Sequence, residues 1–393
     1  MSDPVVVVGM ARTPMGGMQG AFKDIPAPEL GGYAIKGALQ DAGVAPEDVN
    51  EVVMGCVLQA GLKQAPARQA SLFSGIPNSV PASTINKVCG SGMKTVMLAS
   101  SELCCGDASV VVAGGMENMS RAPYMLDKAR GGFRLGHAEI YDHMFLDGLQ
   151  DAYGGELMGI FAEATAEKYE LTREMQDTFA IESLTRAKRA IAEGRFNREI
   201  VPVTLRSRRA ETTIDTDEQP GAARPEKIPH LKPAFKSDGT VTAANSSSIS
   251  DGAAALVLMR ESTALARKLT PIARIHGYRQ HAQEPEWFTT APVGAIKKLL
   301  EHNNWSNDDV DFYEINEAFA VVTLAAIKEL ELDPDKVNVH GGACALGHPL
   351  GASGARVLVT LIGALQYHNK KRGIAALCIG GGEGVAMGVE MIA

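Results

Sequence analysis

The chain has few cysteines, few aromatic side chains and no long hydrophobic run. Its six cysteines among 393 residues form no C-x-x-C pair, and only Cys104 and Cys105 are close neighbours, so neither a disulfide framework nor a zinc site is indicated. The most apolar helical segment, 352–367, contains Arg356 and is shorter than the ~20 residues that span a membrane. The net charge is −8, and the basic residues form no run with interleaved aromatics. We therefore expect a cytoplasmic protein with no nucleic-acid partner, no membrane partner and no metal.

What the chain does contain is an internal repeat. The segment AIKGALQDAGVAPEDV at Ala34 matches AIKKLLEHNNWSNDDV at Ala295, and CGSGMK at Cys89 aligns with GASGAR at Gly351. Both matches keep an offset of about 260 residues. Each half predicts an amphipathic helix and a strand, then a small-residue turn, a buried helix and an apolar strand, at 108–113 in the first half and 374–379 in the second. Each of these apolar strands is predicted to end in a glycine turn, AGGMEN in the first half and IGGGEG in the second. Continuous apolar strands that alternate with helices predict the α/β class, with mostly parallel sheets covered on both faces.

The composition changes between the two halves. The region 119–245 combines charged helical sequence with a Pro-, Gly- and charge-rich stretch at 206–233 that indicates a loop. We predict an N-terminal core half of residues 1–118 completed by 246–270, an insertion of residues 119–245, and a C-terminal core half of residues 271–393. Such insertions commonly carry substrate contacts, but a solvated structural cap explains the composition equally well.

Two cysteines lie in glycine-rich turns, a pattern typical of chemistry on a thioester. Cys89 precedes Gly-Ser-Gly and a buried helix, so the helix N-terminus is expected to favour its thiolate, which is the nucleophilic form. Cys378, in CIGGGEG, is a candidate to move a proton on and off carbon. The glycines let a substrate approach backbone N–H groups that stabilise an oxyanion. His348, in the loop sequence GHPLG, is the candidate base for Cys89.

The other candidates are less clearly functional. Asn316 and Glu317 end a predicted strand, where a helix-capping role and a ligand-binding role are about equally supported. For Cys104 and Cys105, which end the same predicted helix as Cys89, a place in the core is the better interpretation. No catalytic role is assigned to Cys56, Cys344 or His340.

Six strings resemble those of the thiolase family, in the same order and with the same spacing: NKVCGSGMK, AGGMENMS, TVTAANSSSISDGAA, INEAFA, NVHGGACALGHPLGASGAR and CIGGGEG. The resemblance covers essentially the whole chain. It implies a five-layered α-β-α-β-α core of two βαβαβαββ-type repeats, an inserted loop domain that binds coenzyme A (CoA), and a homotetramer built as a dimer of dimers, or a dimer. It also implies acetyl-CoA C-acetyltransferase activity, the reversible condensation of two acetyl-CoA to acetoacetyl-CoA and CoA, with no cofactor besides the thioesters.

The resemblance further implies a role for each site residue. Cys89 is the nucleophile that becomes acylated, His348 is its activator, and Cys378 is the acid/base that acts on the second acyl-CoA. As the base that forms an enolate, a cysteine is expected to have a pKa below its free value of about 8.5. Asn316 holds a water that forms one oxyanion hole with His348, and the backbone N–H groups of Cys89 and Gly380 form the other. The residues implied along CoA are Met158, Leu231, Phe235, Ala243, Ser247, Ala318 and Phe319.

One position departs from the pattern of acetoacetyl-CoA thiolases. Their substrate loop usually has a histidine before Met-Gly, and this chain has Leu157 there. Leucine offers no polar contact and accommodates a longer or branched acyl chain, whereas Phe288 adds bulk and favours a short one. A 3-ketoacyl-CoA thiolase for longer chains is therefore one alternative. The others are a non-catalytic acyl-CoA-binding protein, expected to lose a catalytic residue, and a decarboxylating ketoacyl synthase, which has no need of the second cysteine.

Overall fold

The computed structural model describes residues 3–206 and 211–392. The strands are β1 (Val5–Arg12), β2 (Gly16–Gly17), β3 (Glu51–Gly55), β4 (Ala82–Ile85), β5 (Val110–Asn118), β6 (Tyr124–Met125), β7 (Tyr141–Asp142), β8 (Val203–Arg206), β9 (Glu211–Ile214), β10 (Ser250–Arg260), β11 (Ala273–Ala282), β12 (Phe312–Ile315), β13 (Arg372–Ile379) and β14 (Glu383–Met391). The α-helices are α1 (Ala27–Ala42), α2 (Pro66–Phe73), α3 (Ser91–Cys105), α4 (Met158–Lys168), α5 (Arg173–Ala192), α6 (Glu218–Ala222), α7 (Glu261–Ala266), α8 (Ala291–Asn303), α9 (Ala320–Leu330), α10 (Ala343–Leu346) and α11 (Leu350–Tyr367). Within the described residues, no helix is long and apolar enough to cross a membrane.

A ten-stranded sheet runs through both halves in the order β12-β13-β14-β11-β1-β10-β5-β3-β4, with β2 paired to β10. The prediction of mostly parallel pairing is wrong. Strand β3 is parallel to β4 and β5, and β12 is parallel to β13, but the other pairs in the described sheet are antiparallel. Strand β14 follows β13 after only the turn 380–382, and so short a connection can only reverse the chain.

Three of the hydrophobic cores in the described part of the chain lie between five layers of helices and strands. In the N-terminal half, Val52 packs in a core with α1 and α2, and its neighbour Val53 packs in a core with α3 and α11. In the C-terminal half, Ala375 joins the α3/α11 core, and Ala376 packs with α8 and α9. Successive strand residues point to opposite faces, so each half of the sheet is covered on both sides. The five-layered core expected from the thiolase resemblance is confirmed.

The two central helices touch at equivalent glycines of the repeat. Gly92 and Gly354 hold the same position in the aligned turns CGSGMK and GASGAR. A Cβ on Gly92 would lie 2.6 Å from the backbone nitrogen of Ala355, and a Cβ on Gly354 would lie even closer to the backbone nitrogen of Met93. Only glycine permits this approach, which brings the turns that precede α3 and α11 together at the centre of the molecule.

The predicted glycine turns behave differently in the two halves. Strand β5 continues to Asn118, so Gly114 and Gly115 lie inside a strand, contrary to prediction. A Cβ on either residue would collide with backbone, that of β10 or that of α11, which explains glycine there without a turn. The second turn forms as predicted, with Gly381 and Gly382 at φ 94° and 89°.

The insertion is less irregular than predicted. Its charged segment forms α4 and α5, and the stretch predicted as loop contains β9 and α6. Residues 207–210 of that stretch lie outside the described residues. The domain boundaries remain a prediction.

Candidate active site

A cavity of about 360 Å³ lies at the turns that precede α3 and α11 and follow β13. Cys89, His348 and Gly380 line it. Six of the seven residues implied along CoA also line it: Met158, Phe235, Ala243, Ser247, Ala318 and Phe319. Leu231 instead lines a neighbouring cavity of about 400 Å³, which shares Ala243 and Ser248 with the first.

Cys89 lies just before α3 and is buried, with 8% of its surface exposed. The backbone N–H groups of Gly380 and Cys89 favour the thiolate and act to lower the pKa of Cys89. Burial nevertheless raises the pKa of Cys89 to about 11, and the nearby Glu117 charge adds to this effect. The backbone N–H groups act in the direction expected of a helix N-terminus, but desolvation outweighs them, so the net effect disfavours the thiolate. At neutral pH Cys89 is a thiol and needs a base.

His348 lines the cavity, and its two ring nitrogens differ in their hydrogen-bond partners. Its Nδ1 lies 2.5 Å from Ser353 Oγ, while its Nε2 is buried without a hydrogen-bond partner in the described structure. Burial lowers the pKa of His348 to about 3, and the positive charge of Arg356 acts in the same direction. The imidazole is therefore neutral, as a base for Cys89 must be.

Cys378 is fully buried at the end of β13 and does not line the cavity. Burial raises its pKa well above the ordinary value, and the charge of Cys89 adds to this, which places the two sulfurs within electrostatic reach of each other. A lowered pKa, expected for an enolate base, is not found. A thiol with a raised pKa is instead a strong base once it has lost its proton.

Asn316 follows β12 and lies next to His348. Its Nδ2 is 3.5 Å from His348 Nδ1, and its Oδ1 accepts a hydrogen bond from Arg356 at 3.2 Å. Neither Asn316 nor Glu317 caps α9, whose N-cap residue is Phe319, so the capping alternative is wrong.

Glu317 instead ties three segments together. It accepts hydrogen bonds from Ser183 Oγ, Asn338 Nδ2 and the backbone N–H of Cys344. These bonds connect the end of β12, where Glu317 lies, to α5, to the loop that contains Asn338, and to α10. Glu317 therefore has a structural role, and Asn316 is the member of the pair that reaches the site.

Three residues near the site were not identified from the sequence. Ser353 and Arg356 contact His348 and Asn316, and Glu117 accepts hydrogen bonds from the backbone N–H groups of Val57, Leu58 and Gly351. One of these residues could have been identified from the sequence. Arg356 is a charged residue in an otherwise apolar helix, and a charge that is buried with such a helix needs a partner.

Other cysteines and histidines lie outside this constellation. Cys104 and Cys105 are exposed, not in the core as expected. His340 Nε2 is 3.2 Å from His368 Nε2, which agrees with a structural role. Among the described residues, no three His, Cys, Asp or Glu side chains are grouped so that they could hold a metal ion.

Comparison with known proteins identifies the family. Residues 5–262 match the thiolase N-terminal domain and residues 269–391 match the thiolase C-terminal domain. Cytosolic acetyl-CoA acetyltransferase of Mus musculus is 50% identical, over 99% of this chain and 98% of its own length. The crystal structure of the Bacillus anthracis acetyl-CoA acetyltransferase superposes with a TM-score of 0.97 at 44% identity, covering 99% of each chain. A thiolase from Ascaris suum in complex with CoA superposes with a TM-score of 0.94 at 42% identity, covering 99% of this chain and 100% of its own. With the five-layered fold and both domain matches in agreement, this chain belongs to the thiolase family.

Proposed function

We propose that the protein is an acetyl-CoA C-acetyltransferase, which condenses two acetyl-CoA to acetoacetyl-CoA and CoA and catalyses the reverse cleavage. The observation that carries this proposal is one cavity lined by Cys89, by His348, whose Nε2 has no hydrogen-bond partner in the described structure, and by Gly380, whose backbone N–H lowers the pKa of Cys89. The names of the mouse and Bacillus anthracis relatives support the choice of acetyl-CoA.

The first half-reaction transfers an acetyl group to Cys89. His348 Nε2 takes the thiol proton, and the sulfur attacks the thioester carbonyl as the carbonyl oxygen gains negative charge. The N–H groups of Cys89 and Gly380 donate to that oxygen, and the loss of one such donor typically costs about 10²–10³ in rate. Cys378 gives its proton to the departing CoA sulfur. The products are acetyl-Cys89, free CoA, protonated His348 and the Cys378 thiolate.

The second half-reaction forms the carbon–carbon bond. The Cys378 thiolate removes a proton from the α-carbon of a second acetyl-CoA, and its raised pKa makes it basic enough to do so. Protonated His348 and a water held by Asn316 stabilise the enolate oxygen. The enolate carbon attacks acetyl-Cys89, acetoacetyl-CoA leaves, and the Cys89 sulfur recovers its proton from His348. The side chains account for every proton, so we propose no cofactor besides the thioesters.

The remaining predicted residues are assigned to CoA. Met158, Phe235, Ala243, Ser247, Ala318 and Phe319 line an apolar wall that suits the pantetheine arm. Leu231 lies in the neighbouring cavity, which shares the lining residues Ala243 and Ser248 with the first, so we propose that one extended ligand contacts both. The Ascaris suum thiolase in complex with CoA supports this class of ligand.

Acyl-chain length is set by the walls near Cys89. Leu157 and Phe288 both line the cavity, and neither can donate a hydrogen bond through its side chain. The named relatives favour the acetyl and acetoacetyl thioesters, and Leu157 is the observation that favours a 3-ketoacyl-CoA with a longer chain.

Labelled CoA tests both the reaction and the alternatives. We expect wild-type protein to exchange label between CoA and acetyl-CoA, and mass spectrometry to find the acetyl group on Cys89. Cys89→Ala should lower exchange by about 10⁴-fold or more. Cys105→Ala, an exposed thiol at the far end of α3, is the control and should leave exchange unchanged. No exchange by wild type would favour the non-catalytic binder, and a several-fold preference for 3-ketooctanoyl-CoA over acetoacetyl-CoA would replace the short-chain assignment.

We further propose a cytosolic homotetramer, arranged as a dimer of dimers. The mouse relative is named cytosolic. Strand β4 ends the sheet, and exposed apolar side chains cluster around β6 and β7, with Leu135 98% and Ile140 65% exposed. A sheet edge and an apolar patch both favour association with further copies. Sedimentation equilibrium that returned the mass of a single 41.6 kDa chain would contradict the tetramer.

A further inference from the structure

Helix α11 carries two polar side chains into the interior beside the active site. Ser353 and Arg356 are one turn apart, so they lie on the same side of the helix. Both are fully buried, and neither lines the cavity. Their contacts go to His348 and Asn316, the two side chains assigned to the enolate oxygen.

Ser353 determines which ring nitrogen of His348 carries the proton. Its hydroxyl donates to the backbone carbonyl of Pro349 at 2.9 Å. A hydroxyl has a single hydrogen, so toward His348 Nδ1, at 2.5 Å, Ser353 Oγ acts as the acceptor. Nδ1 therefore carries the hydrogen, and Nε2, which is buried without a hydrogen-bond partner in the described structure, is left with a free lone pair. That tautomer is the one able to take the proton of Cys89.

Arg356 determines which way the carboxamide of Asn316 points. The guanidinium donates to Glu314 Oε1 at 2.6 Å and to Asn316 Oδ1 at 3.2 Å. Arginine has no acceptor, so the oxygen of the amide must face it and the NH₂ group must face His348. The 3.5 Å from Asn316 Nδ2 to His348 Nδ1 joins two donors and is not a strong hydrogen bond. Asn316 therefore keeps an N–H free to donate to another group.

We propose that Ser353 and Arg356 are positioning residues of the reaction, Ser353 by fixing the His348 tautomer and Arg356 by fixing the Asn316 amide. This inference rests on the proposed function. The positive charge of Arg356 adds a second effect, because it disfavours the imidazolium and so keeps free His348 neutral before acylation. Glu314 balances that charge within the same buried cluster.

The matched control for Ser353 is Ser100 in helix α3. Ser100 is also buried, and its hydroxyl donates to the carbonyl four residues earlier, that of Val96, at 2.8 Å. Ser353→Ala and Ser100→Ala thus remove the same helix hydrogen bond, and only the first also removes a partner of His348.

We expect Ser353→Ala to lower kcat of the label exchange by about 10²-fold while KM for acetyl-CoA changes less than about twofold, since Ser353 does not line the cavity. Ser100→Ala should stay within about twofold in both constants, and Ser353→Thr, which restores the hydroxyl, should recover most of kcat. Thermal unfolding confirms that each variant is folded; if Ser353→Ala is not, the near-isosteric Ser353→Cys replaces it. Equal kcat for Ser353→Ala and Ser100→Ala would overturn the role of Ser353.

The matched control for Arg356 is Arg12, which is equally buried and pairs with Glu199 and Asp217. Lysine keeps the charge in either place but cannot reproduce the fork that serves two partners. We expect Arg356→Lys to slow deuterium exchange at the α-carbon of acetyl-CoA by about 10-fold more than it slows label exchange with CoA, because Asn316 serves the enolate. Arg12→Lys should lower the melting temperature without that difference between the two rates. If the ratio of the α-carbon exchange rate to the CoA exchange rate were the same in Arg356→Lys and Arg12→Lys, the role of Arg356 would be overturned. Inactivity of the wild type would instead refute the proposed function.

Discussion

The two aligned turns, CGSGMK in the first half and GASGAR in the second, use one sequence pattern for two different tasks. In the first, Ser91 Oγ accepts from the backbone N–H of Lys87 at 2.8 Å and donates to the carbonyl of Val88 at 2.6 Å, which fixes the loop that presents Cys89. In the second, the equivalent Ser353 accepts from His348 and donates to Pro349. Both serines stabilise the segment just before a central helix. The duplication thus supplied two similar supports, one for a nucleophile and one for a base.

The two halves differ in the burial of the basic residue that follows each of these serines by about one helical turn. Lys94 of the first half is partly exposed, whereas the equivalent Arg356 of the second half is fully buried against Glu314 and Asn316. A buried cation needs partners that satisfy its donors, and here those partners belong to the site. The same position of the repeat is therefore partly exposed in the first half, and in the second half it carries a buried side chain that contacts the site.

The largest effect that we expect concerns the nucleophile and base of the two turns, and it depends on the ionisation of Cys89 and His348. With the pKa of Cys89 raised to about 11 and that of His348 lowered to about 3, both groups are neutral near pH 7. The thiolate fraction then rises about tenfold for each pH unit below about 11. We expect the rate of Cys89 alkylation by iodoacetamide, followed by peptide mass spectrometry, to rise about 100-fold from about pH 7 to about pH 9. The exposed Cys105 serves as the reagent control. A rate that is already constant at neutral pH would reveal a thiolate–imidazolium pair and restore the expectation drawn from the helix N-terminus.

A smaller effect tests the contact between the halves. We expect Gly92→Ala and Gly354→Ala to lower the free energy of unfolding by similar amounts, about 1–3 kcal/mol each, because each added methyl meets backbone of the opposite helix. Both should also reduce exchange activity, since the turns before α3 and α11 are displaced together. Gly221→Ala in α6, where the added Cβ would meet no atom of another described segment within 4 Å, is the control for urea unfolding curves. Unequal losses would mean that the contact is not reciprocal.

The smallest effect compares the two glutamates of AGGMEN and IGGGEG. Glu117 is buried and accepts three backbone N–H groups, whereas the Glu383 side chain is 38% exposed and pairs with Lys87. We expect Glu117→Gln to cost about 1–2 kcal/mol, because an NH₂ group replaces an acceptor, and Glu383→Gln to cost less than about 0.5 kcal/mol.

The effect of Glu117→Gln on the free energy of unfolding should also depend on pH. Burial raises the pKa of Glu117 from 4.5 to about 7, so between these values the native state binds more protons than the unfolded state. This contribution to stability is complete below about pH 4.5 and is lost as pH rises through about 7. The difference in free energy of unfolding between wild type and Glu117→Gln should therefore shrink over that range. A difference that does not shrink over that range would mean that Glu117 is ionised throughout.

Local patterns predicted the elements well. The helix expected at 352–367 forms as Leu350–Tyr367, and the strand expected at 374–379 forms as Arg372–Ile379, since an uninterrupted apolar sequence has few alternatives in water. The direction of strand pairing and the state of the first glycine pair were predicted wrongly. Both depend on partners distant in sequence, namely β10 against β5 and α11 against Gly115.

Residue types and their spacing were enough to identify the family, to predict the duplicated α/β core and to name five candidate site residues, Cys89, His348, Asn316, Cys378 and Gly380, because side-chain chemistry and spacing are properties of the chain. The ionisation and orientation of these side chains depend on how the chain packs. The sequence indicates a helix N-terminus beside Cys89 but not the desolvation that outweighs it. The sequence likewise shows that Ser353 and Arg356 belong to the string GASGAR, but not what they contact. The packing of α11 against the β12 end of the sheet directs them at His348 and Asn316.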